Sequence, residues 1–368
     1  MKPYHVALAQ VAKKVNVFLN KTFDTIEINK PEGIERKLED AVTMIACTHR
    51  SQADYFVLGN YAHRLGISNL RFAAGDNLTT LPILGPKFLS WGAFTVERDR
   101  ARDRKYIFEL CDLVAELMED GDNIIVFPEM GRSYSGAMLE IKQVILGAAV
   151  IVQARHPEKK VGYLPCSITY EKLPELRYFD MLHKGKAMRK PGAGFVQNLL
   201  GNVYYYGADI MAFSKFWQGH RFGKKYGNMY VDFGEPMFVN EMLDLAAMAN
   251  HEAKHEFWVH RKAIKTVSES LYDSFMRLYR IMPAHVISHL LKEYGATGKE
   301  VLIEDAAEVI DKLEKQNRNI ALVRNLSGTQ LLDDGIRQLD SMRSVNADNG
   351  KITITNQSVI DYYAATVA

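Results

Sequence analysis

The chain has 368 residues, of which 47% are hydrophobic and 24% are charged, and its net charge is only +2. This composition is ordinary for a soluble globular protein with a substantial core, and the near balance of charge gives no overall attraction to nucleic acid. The longest uncharged apolar run, residues 144–152, is too short to span a bilayer, so we expect no transmembrane helix. The three cysteines form no CxxC pair, which is typical of buried thiols in a reducing compartment.

Hydrophobic periodicity predicts helices that alternate with strands along the first two thirds of the chain. The N-terminal apolar stretch contains lysines and has no small-residue cleavage site, which argues against a signal peptide. We predict there a helix packed on the core, with a helix on a membrane surface as the alternative. The predicted helices are 4–22, 53–65, 101–121 and 137–154, and the predicted strands are 42–48, 70–76, 123–127, 161–171 and 228–234.

Strands that alternate with helices predict an α/β fold with a mostly parallel central sheet and flanking helices. From about residue 240 the pattern changes to that of a helical C-terminal region, with one strand or hairpin arm at 351–356. We therefore predict an N-terminal helix at 1–25, an α/β domain at 26–240 and a helical region at 241–368.

Two polar segments follow predicted strands, at the strand ends where α/β sheets place their sites. They are residues 48–54 and 128–136. In the first segment His49 precedes Asp54 by five positions, so the carboxylate can accept the Nδ1 proton and leave Nε2 as a base. A capping box fits the same residues, because Ser51 and Asp54 have the spacing at which an acidic side chain satisfies backbone N–H groups at a helix start. The two roles are not fully exclusive.

Four segments resemble, in order and with compatible gaps, the four blocks of the glycerolipid acyltransferases. THRSQAD resembles the His-x4-Asp block, GAFTVER the second block, FPEMGRSYSG the third and YLPCSITYEKLPE the fourth. They lie at 48–54, 92–98, 127–136 and 163–175. VDFGEP also fits, and the segment RIMPAHVISHLLKEYG resembles the region downstream of the core in the large glycerol-3-phosphate acyltransferase branch. The chain thus resembles that family, whose α/β acyltransferase fold agrees with the predicted sheet.

The resemblance implies that a hydroxyl of glycerol 3-phosphate attacks an acyl thioester on coenzyme A or acyl carrier protein. His49 would take the hydroxyl proton while Asp54 orients the ring, with no covalent enzyme intermediate and no metal or other cofactor. The resemblance also implies which residues meet the substrates. These are Arg98 and Arg132 for the phosphate, Glu129, Gly131 and Ser133 for the glycerol pocket, and Pro165 near the acyl donor.

The form of the fourth block, SITYEKLPE, is typical of the first acylation, at the sn-1 hydroxyl in phospholipid synthesis. Dihydroxyacetone phosphate and 1-acyl-glycerol 3-phosphate fit the same blocks and remain open as acceptors. The implied location is the cytoplasmic face of a membrane, bound peripherally, and no nucleic acid partner is expected. The chain departs from the family at Met130, where a glycine is usual, and at Thr95 and Glu97. Glu97 can pair with the adjacent Arg98 and weaken its hold on phosphate.

Other signals point to other classes of protein. HEAKH at 251–255 matches a zinc-protease motif, but its flanks are polar and no third ligand stands at a familiar spacing. Cys47 lies two residues before His49, where a Cys–His nucleophile competes with a buried thiol. The basic segments 183–190 and 215–226 are either exposed surface or contacts for anionic headgroups, coenzyme A or acyl carrier protein. A non-catalytic lipid- or acyl-carrier-binding module remains the alternative of another class.

Overall fold

A layered α/β unit and a helical C-terminal region make up the part of the chain that the computed structural model describes. The described residues are 3–80, 84–97, 100, 103–129, 131–188, scattered positions between 194 and 214, 225–243, 256–348 and 350–367.

A mostly parallel sheet forms the centre of the described structure. Its strands are β1 (Thr25–Asn29), β2 (Ala41–Cys47), β3 (Leu70–Gly75), β4 (Ala93–Val96), β5 (Asn123–Val126), β6 (Lys160–Tyr170), β7 (Asn228–Phe233) and β8 (Met237–Phe238). Their order is β1-β7-β6-β2-β5-β3-β4, and β8 pairs with β6. β7 and β8 run antiparallel to β6, whereas the other neighbours are parallel. The predicted fold class is confirmed.

Helices cover both faces of the sheet and continue into the C-terminal region. They are α1 (Pro3–Thr22), α2 (Ile34–Lys37), α3 (Asp54–Arg64), α4 (Asp76–Thr79), α5 (Leu84–Ser90), α6 (Arg104–Glu119), α7 (Gln143–Arg155), α8 (Phe179–Met188), α9 (Val239–Met242), α10 (Glu256–Val259), α11 (Arg261–Leu278), α12 (Pro283–Tyr294), α13 (Lys299–Lys315), α14 (Gly328–Ser341) and α15 (Gln357–Ala364). None of these helices is long and apolar enough to cross a bilayer.

The C-terminal region is helical, as predicted, and carries one small antiparallel sheet. That sheet consists of β9 (Thr297–Gly298), β10 (Val345–Asp348) and β11 (Lys351–Ile354), in the order β10-β11-β9. The arm predicted at 351–356 is β11, which forms a hairpin with β10.

The side chains of β2 alternate between the two faces of the sheet, and each set belongs to a different hydrophobic cluster. Ile45 and Cys47 join the cluster that contains α1, α3 and the helices after residue 280, whereas Met44 and Ala46 join the cluster of α6, α7 and α11. Successive side chains of a strand point to opposite faces, and a strand covered on both faces becomes continuously apolar. The C-terminal helices therefore share a core with the sheet. The part boundaries near residues 25 and 240 stay a prediction.

Two predicted helices begin later than their periodicity indicates. The helix expected at 101–121 begins at Arg104, because the Asp103 carboxylate accepts hydrogen bonds from the N–H groups of Lys105 and Tyr106 and caps it. The helix expected at 137–154 begins at Gln143. Residues 137–142 instead form a loop whose backbone is bound by side chains of the candidate site.

Candidate active site

The loop that follows β2 brings His49 and Asp54 together. His49 lies two residues beyond the strand, and Asp54 is the first residue of α3. The Nδ1 atom of His49 and Oδ2 of Asp54 are 2.9 Å apart, and both side chains are buried. The predicted pair is therefore in hydrogen-bonding contact, in the orientation that leaves Nε2 to face away from the carboxylate.

Asp54 also holds the turn of this loop. Its Oδ2 accepts hydrogen bonds from the backbone N–H of Arg50 (2.7 Å) and of Ser51 (2.9 Å), and its Oδ1 accepts one from the hydroxyl of Tyr170 (2.7 Å). The helix starts at Asp54, one residue later than predicted, and Ser51 lies in the turn before it. Asp54 combines the two roles that the sequence left open, because one carboxylate fixes both the backbone turn and the imidazole.

The imidazole of His49 lies among aromatic rings. It stacks on Phe127 at a centroid distance of 4.1 Å and meets the edge of Tyr55 at 5.5 Å. Burial lowers the pKa of His49 below its ordinary value of 6.5, although the hydrogen bond that Nδ1 donates to Asp54 acts in the opposite direction. The ring is therefore neutral at pH 7, and among the described residues no hydrogen bond involves Nε2. A neutral imidazole with an accepting Nε2 is what a general base requires.

The loop after β5, which is the neighbour of β2 in the sheet, is fastened to the histidine loop by predicted site residues. Glu129 accepts hydrogen bonds from the N–H of His49 (2.9 Å) and of Leu139 (3.1 Å), and the N–H of Ser133 donates to the carbonyl of His49 (3.0 Å). The Ser133 hydroxyl donates to the carbonyl of Ala137 (2.6 Å). These bonds position the loops, and they also explain why residues 137–142 are not helical.

Arg132 is buried in the same loop, beside a buried carboxylate. Its Nη1 lies 3.7 Å from Oε1 of Glu175, and its Nη2 donates to the hydroxyl of Tyr134 (2.8 Å). Its charge contributes to the lowered pKa of His49, which puts the guanidinium within electrostatic reach of the imidazole. Burial raises the pKa of Glu175 to about 7, although Arg132 opposes this effect. Glu175 is therefore a partner of Arg132 that can change its protonation near pH 7.

Comparisons with known proteins agree with this arrangement. The family model described as acyltransferase matches residues 26–169, and the model of the glycerol-3-phosphate acyltransferase C-terminal region matches residues 214–364. A glycerol-3-phosphate acyltransferase of Actinobacillus pleuropneumoniae serotype 5b (strain L20) is 24% identical over 337 residues, 89% of this chain and 38% of that protein. The chain belongs to the glycerol-3-phosphate acyltransferase family.

A second glycerol-3-phosphate acyltransferase and one crystal structure are also similar to parts of this chain. The glycerol-3-phosphate acyltransferase of Glaesserella parasuis serovar 5 (strain SH0165) is 27% identical over 241 residues, 65% of this chain and 27% of that protein. The chain thus spans between a quarter and two fifths of these family members' length. The crystal structure of the 1-acyl-sn-glycerophosphate (LPA) acyltransferase PlsC from Thermotoga maritima aligns with a TM-score of 0.37 at 17% identity, covering 72% of this chain and 79% of that one.

The structure describes some of the remaining residues that the family blocks single out, and others lie outside the described residues. Gly131 has open space where a Cβ would lie. Arg98 and Met130 lie outside the described residues. Glu97 forms an ion pair with Arg100 (3.5 Å), and the Thr95 hydroxyl donates to that of Thr79 (3.1 Å).

Pro165 lies inside β6, beside Ala46 of β2. Its carbonyl accepts a hydrogen bond from Gly234 (2.9 Å), where the antiparallel partner of β6 changes from β8 to β7. The N–H and C=O of a strand residue point to the same side, so the N–H that proline lacks would face this interruption of the ladder. Pro165 therefore fits an interior strand without losing a ladder hydrogen bond. Its place near the acyl donor stays a prediction.

Of the sequence signals that point to other classes of protein, the structure describes Cys47 but not the HEAKH segment. Cys47 is fully buried, and burial raises the pKa of its thiol well above the ordinary value, which disfavours a thiolate nucleophile. HEAKH at 251–255 and most of the basic segment 215–226 lie outside the described residues. Within the described part of the chain, no three potential metal-binding side chains come together.

Tyr170 and Glu175 of the fourth block also hold the site loops in place, although the sequence pointed only to Pro165 in that block. Tyr170 donates to Asp54, and Glu175 accepts hydrogen bonds from the Ser51 hydroxyl (2.9 Å) and the Gln52 N–H (2.7 Å). Tyr170 is the last residue of β6 and Glu175 follows five positions later. The signal for both was present in the block TYEKLPE, but their partners are more than 100 positions away.

Gly136 joins the site loop to the C-terminal helix α15. Its φ is +83°, and a Cβ there would overlap the carbonyl group of Tyr362. We expect Gly136→Ala to lower the free energy of unfolding by more than about 2 kcal/mol, because strain and steric overlap add. Gly121→Ala is the matched control, since Gly121 has a φ of +82° but open space around it. Its cost should stay near 1 kcal/mol. Urea unfolding measures both, and equal losses would contradict the close packing of α15.

Proposed function

We propose that this chain transfers a fatty acyl group from an acyl thioester to the sn-1 hydroxyl of glycerol 3-phosphate. The observation that carries the proposal is the buried His49–Asp54 pair, with a neutral imidazole whose Nδ1 is held by the carboxylate. Family membership supports the acyl group and the acceptor. The donor is coenzyme A or acyl carrier protein, and the proton transfers need no further cofactor.

The proposed chemistry follows from the imidazole's orientation. Nε2 of His49 takes the proton of the acceptor hydroxyl as its oxygen attacks the thioester carbonyl carbon. Asp54 stabilises the imidazolium that forms, and its three other hydrogen bonds keep it in place. When the tetrahedral intermediate collapses, the carbon–sulfur bond breaks and the imidazolium returns its proton to the leaving thiolate.

Arg132 supplies the proposed contact for the acceptor's phosphate, together with Arg98. A guanidinium presents a planar fork that suits phosphate oxygens. Arg132 lies in electrostatic reach of His49, and a phosphate bound to it would therefore bring the attached glycerol to the base. Glu175, with its raised pKa, can take up a proton when the phosphate replaces it as the partner of Arg132.

Peripheral binding at the cytoplasmic face of a membrane completes the proposal. Val196, Leu200 and Val203 are exposed apolar residues in helical conformation, spaced as on one side of a helix. Apolar side chains at such spacing can enter the headgroup layer of a bilayer, where the acyl donors and products of this reaction partition.

The test is thiol release from palmitoyl-CoA by purified protein in detergent or liposomes, with and without glycerol 3-phosphate. We expect release that depends on the acceptor. Parallel reactions with dihydroxyacetone phosphate and 1-acyl-glycerol 3-phosphate identify the acceptor, and acyl carrier protein replaces coenzyme A as the second donor. If no combination releases thiol, the chain is a binding module and the proposed function is wrong.

Replacing Arg132 should affect one substrate more than the other. We expect Arg132→Ala to raise the KM for glycerol 3-phosphate by about 10-fold to 100-fold, the value of a charge-assisted contact, and to change the KM for palmitoyl-CoA far less. Arg100→Ala is the control, because Arg100 is exposed and paired with Glu97 and Asp103. Initial rates with each substrate varied in turn measure the effect. Equal rises in both KM values would move Arg132 out of the phosphate site.

A further inference from the structure

A cavity of about 100 Å³ lies between the two site loops and the C-terminal helices. The site loops contribute Arg50 and the backbone around Ala137, and the C-terminal region contributes Tyr279, Arg318 and Thr366. Neither His49 nor Arg132 lines it, so it is separate from the candidate active site. Its volume is sufficient for several water molecules and hence for one small oxyanion.

Two arginines give this cavity its chemistry. Arg50 is 3% exposed and Arg318 is 8% exposed. Arg50 donates from Nη1 to the carbonyl of Ala137 (2.9 Å), and Arg318 donates from Nη2 to that of Thr366 (2.8 Å). The Nε of Arg50 is buried and has no hydrogen-bond partner. Buried guanidinium donors are normally all paired, but this nitrogen has almost no accessible surface and does not itself face the cavity. Two guanidinium groups that line one cavity nevertheless favour a ligand with oxygen acceptors.

Neither arginine of the cavity forms an ion pair in the described part of the chain. No carboxylate lies within 4 Å of either guanidinium, and their hydrogen bonds go to carbonyls and a thioether. Although burial opposes it, the charge of Glu129 raises the pKa of Arg50 from a greater distance, while both oxygens of Glu129 accept backbone N–H bonds. Burial lowers the pKa of Arg318, and the charge of Arg50 acts in the same direction. Two buried like charges call for a counterion.

We propose that this cavity binds a phosphate group through Arg50 and Arg318. A tetrahedral oxyanion in the cavity would balance both guanidinium charges. Because Arg50 follows His49 in the chain and Arg318 belongs to the C-terminal region, the anion would tie that region to the histidine loop. The proposal is independent of acyl transfer. The phosphate can be inorganic or part of a phosphate monoester, which share the recognised group.

Equilibrium dialysis with radiolabelled inorganic phosphate tests the site by counting bound equivalents. The active-site arginines contribute equally in every sample, so the cavity is measured as a difference between variants. Ala365→Asp places a tethered carboxylate in the cavity lining, and we expect it to bind one equivalent fewer than the wild type and to melt at a higher temperature. Arg318→Gln should also lose one equivalent, or bind it about tenfold more weakly. Arg324→Gln, at an exposed arginine paired with Glu314, should bind like the wild type.

The two test variants act in opposite ways, so the result does not depend on one of them folding well. Arg318→Gln removes hydrogen bonds, whereas Ala365→Asp keeps them and adds a counterion. Unchanged stoichiometry and affinity in Ala365→Asp would overturn the proposal. Competition by glycerol 3-phosphate and by coenzyme A, measured on the equivalent that Ala365→Asp lacks, shows whether the occupant is a monoester. If neither competes, the ligand is inorganic phosphate.

Discussion

His49→Ala should reduce acceptor-dependent thiol release by about 10²-fold to 10⁴-fold, the usual contribution of a general base. Among the described residues, His49 is the only one that contacts Asp54 through a ring nitrogen, so no other imidazole can replace it as the base. The loss should appear in kcat, since this substitution leaves the proposed phosphate contact at Arg132 unchanged. Rates measured at saturating palmitoyl-CoA and glycerol 3-phosphate test this directly.

The fold of this variant needs its own control, because His49 is only 7% exposed and stacks on Phe127. A position just beyond a strand end does not leave this ring exposed. Phe127→Leu disturbs the same packing but keeps the imidazole. We expect both variants to lose stability by about 1–3 kcal/mol in thermal unfolding. Comparable activity losses in the two variants would mean that packing, and not a base, explains the result.

The sheet was predictable because its signals are local. Strands such as β2 and β5 are short apolar runs, and their parallel pairing follows from the helices between them. That pairing places the polar segments 48–54 and 128–136 at one edge of the sheet. The proximity of His49 and Asp54 was predictable as well, because a histidine in the loop before a helix can reach a carboxylate at the start of that helix.

The loop at 137–142 was not predictable, because its conformation depends on distant residues. Its sequence has helical periodicity, but Arg50 and Ser133 bind the carbonyl of Ala137, and Glu129 binds the N–H of Leu139. The bonds to the Ala137 carbonyl occupy an acceptor that a helix beginning at 137 would otherwise use. Tertiary hydrogen bonds therefore outweigh local propensity in this segment.

The contact between the C-terminal region and the site could not be predicted either. Gly136 and Tyr362 are 226 positions apart, yet their backbones approach too closely for any side chain at Gly136. The expected pairing of Glu97 with Arg98 stays a prediction, because Arg98 lies outside the described residues. The observed ion pair of Glu97 is with Arg100, three positions on, where residues of a turn can meet.

Asp54→Asn separates the two roles of this carboxylate. An amide can still accept from the N–H groups of Arg50 and Ser51 through its oxygen, so the turn should persist at a cost of about 1–2 kcal/mol. It carries no negative charge to stabilise an imidazolium, and in the other orientation it favours the wrong tautomer of His49. We therefore expect turnover to fall by about 10³-fold to 10⁴-fold, as in catalytic triads that lose this charge.

Asp103→Asn is the matched control, because Asp103 caps α6 by accepting from the N–H groups of Lys105 and Tyr106 and lies in no contact with His49. It should lose about 0.5–1 kcal/mol of stability, and it should keep full activity. Unfolding in urea and thiol release are measured on both variants. If Asp54→Asn loses stability but retains turnover within about threefold of the wild type, the carboxylate is only a structural cap, since an orienting charge contributes far more than that. Loss of turnover in Asp54→Asn alone assigns the charge to catalysis, because both variants weaken a helix start and only one touches the imidazole.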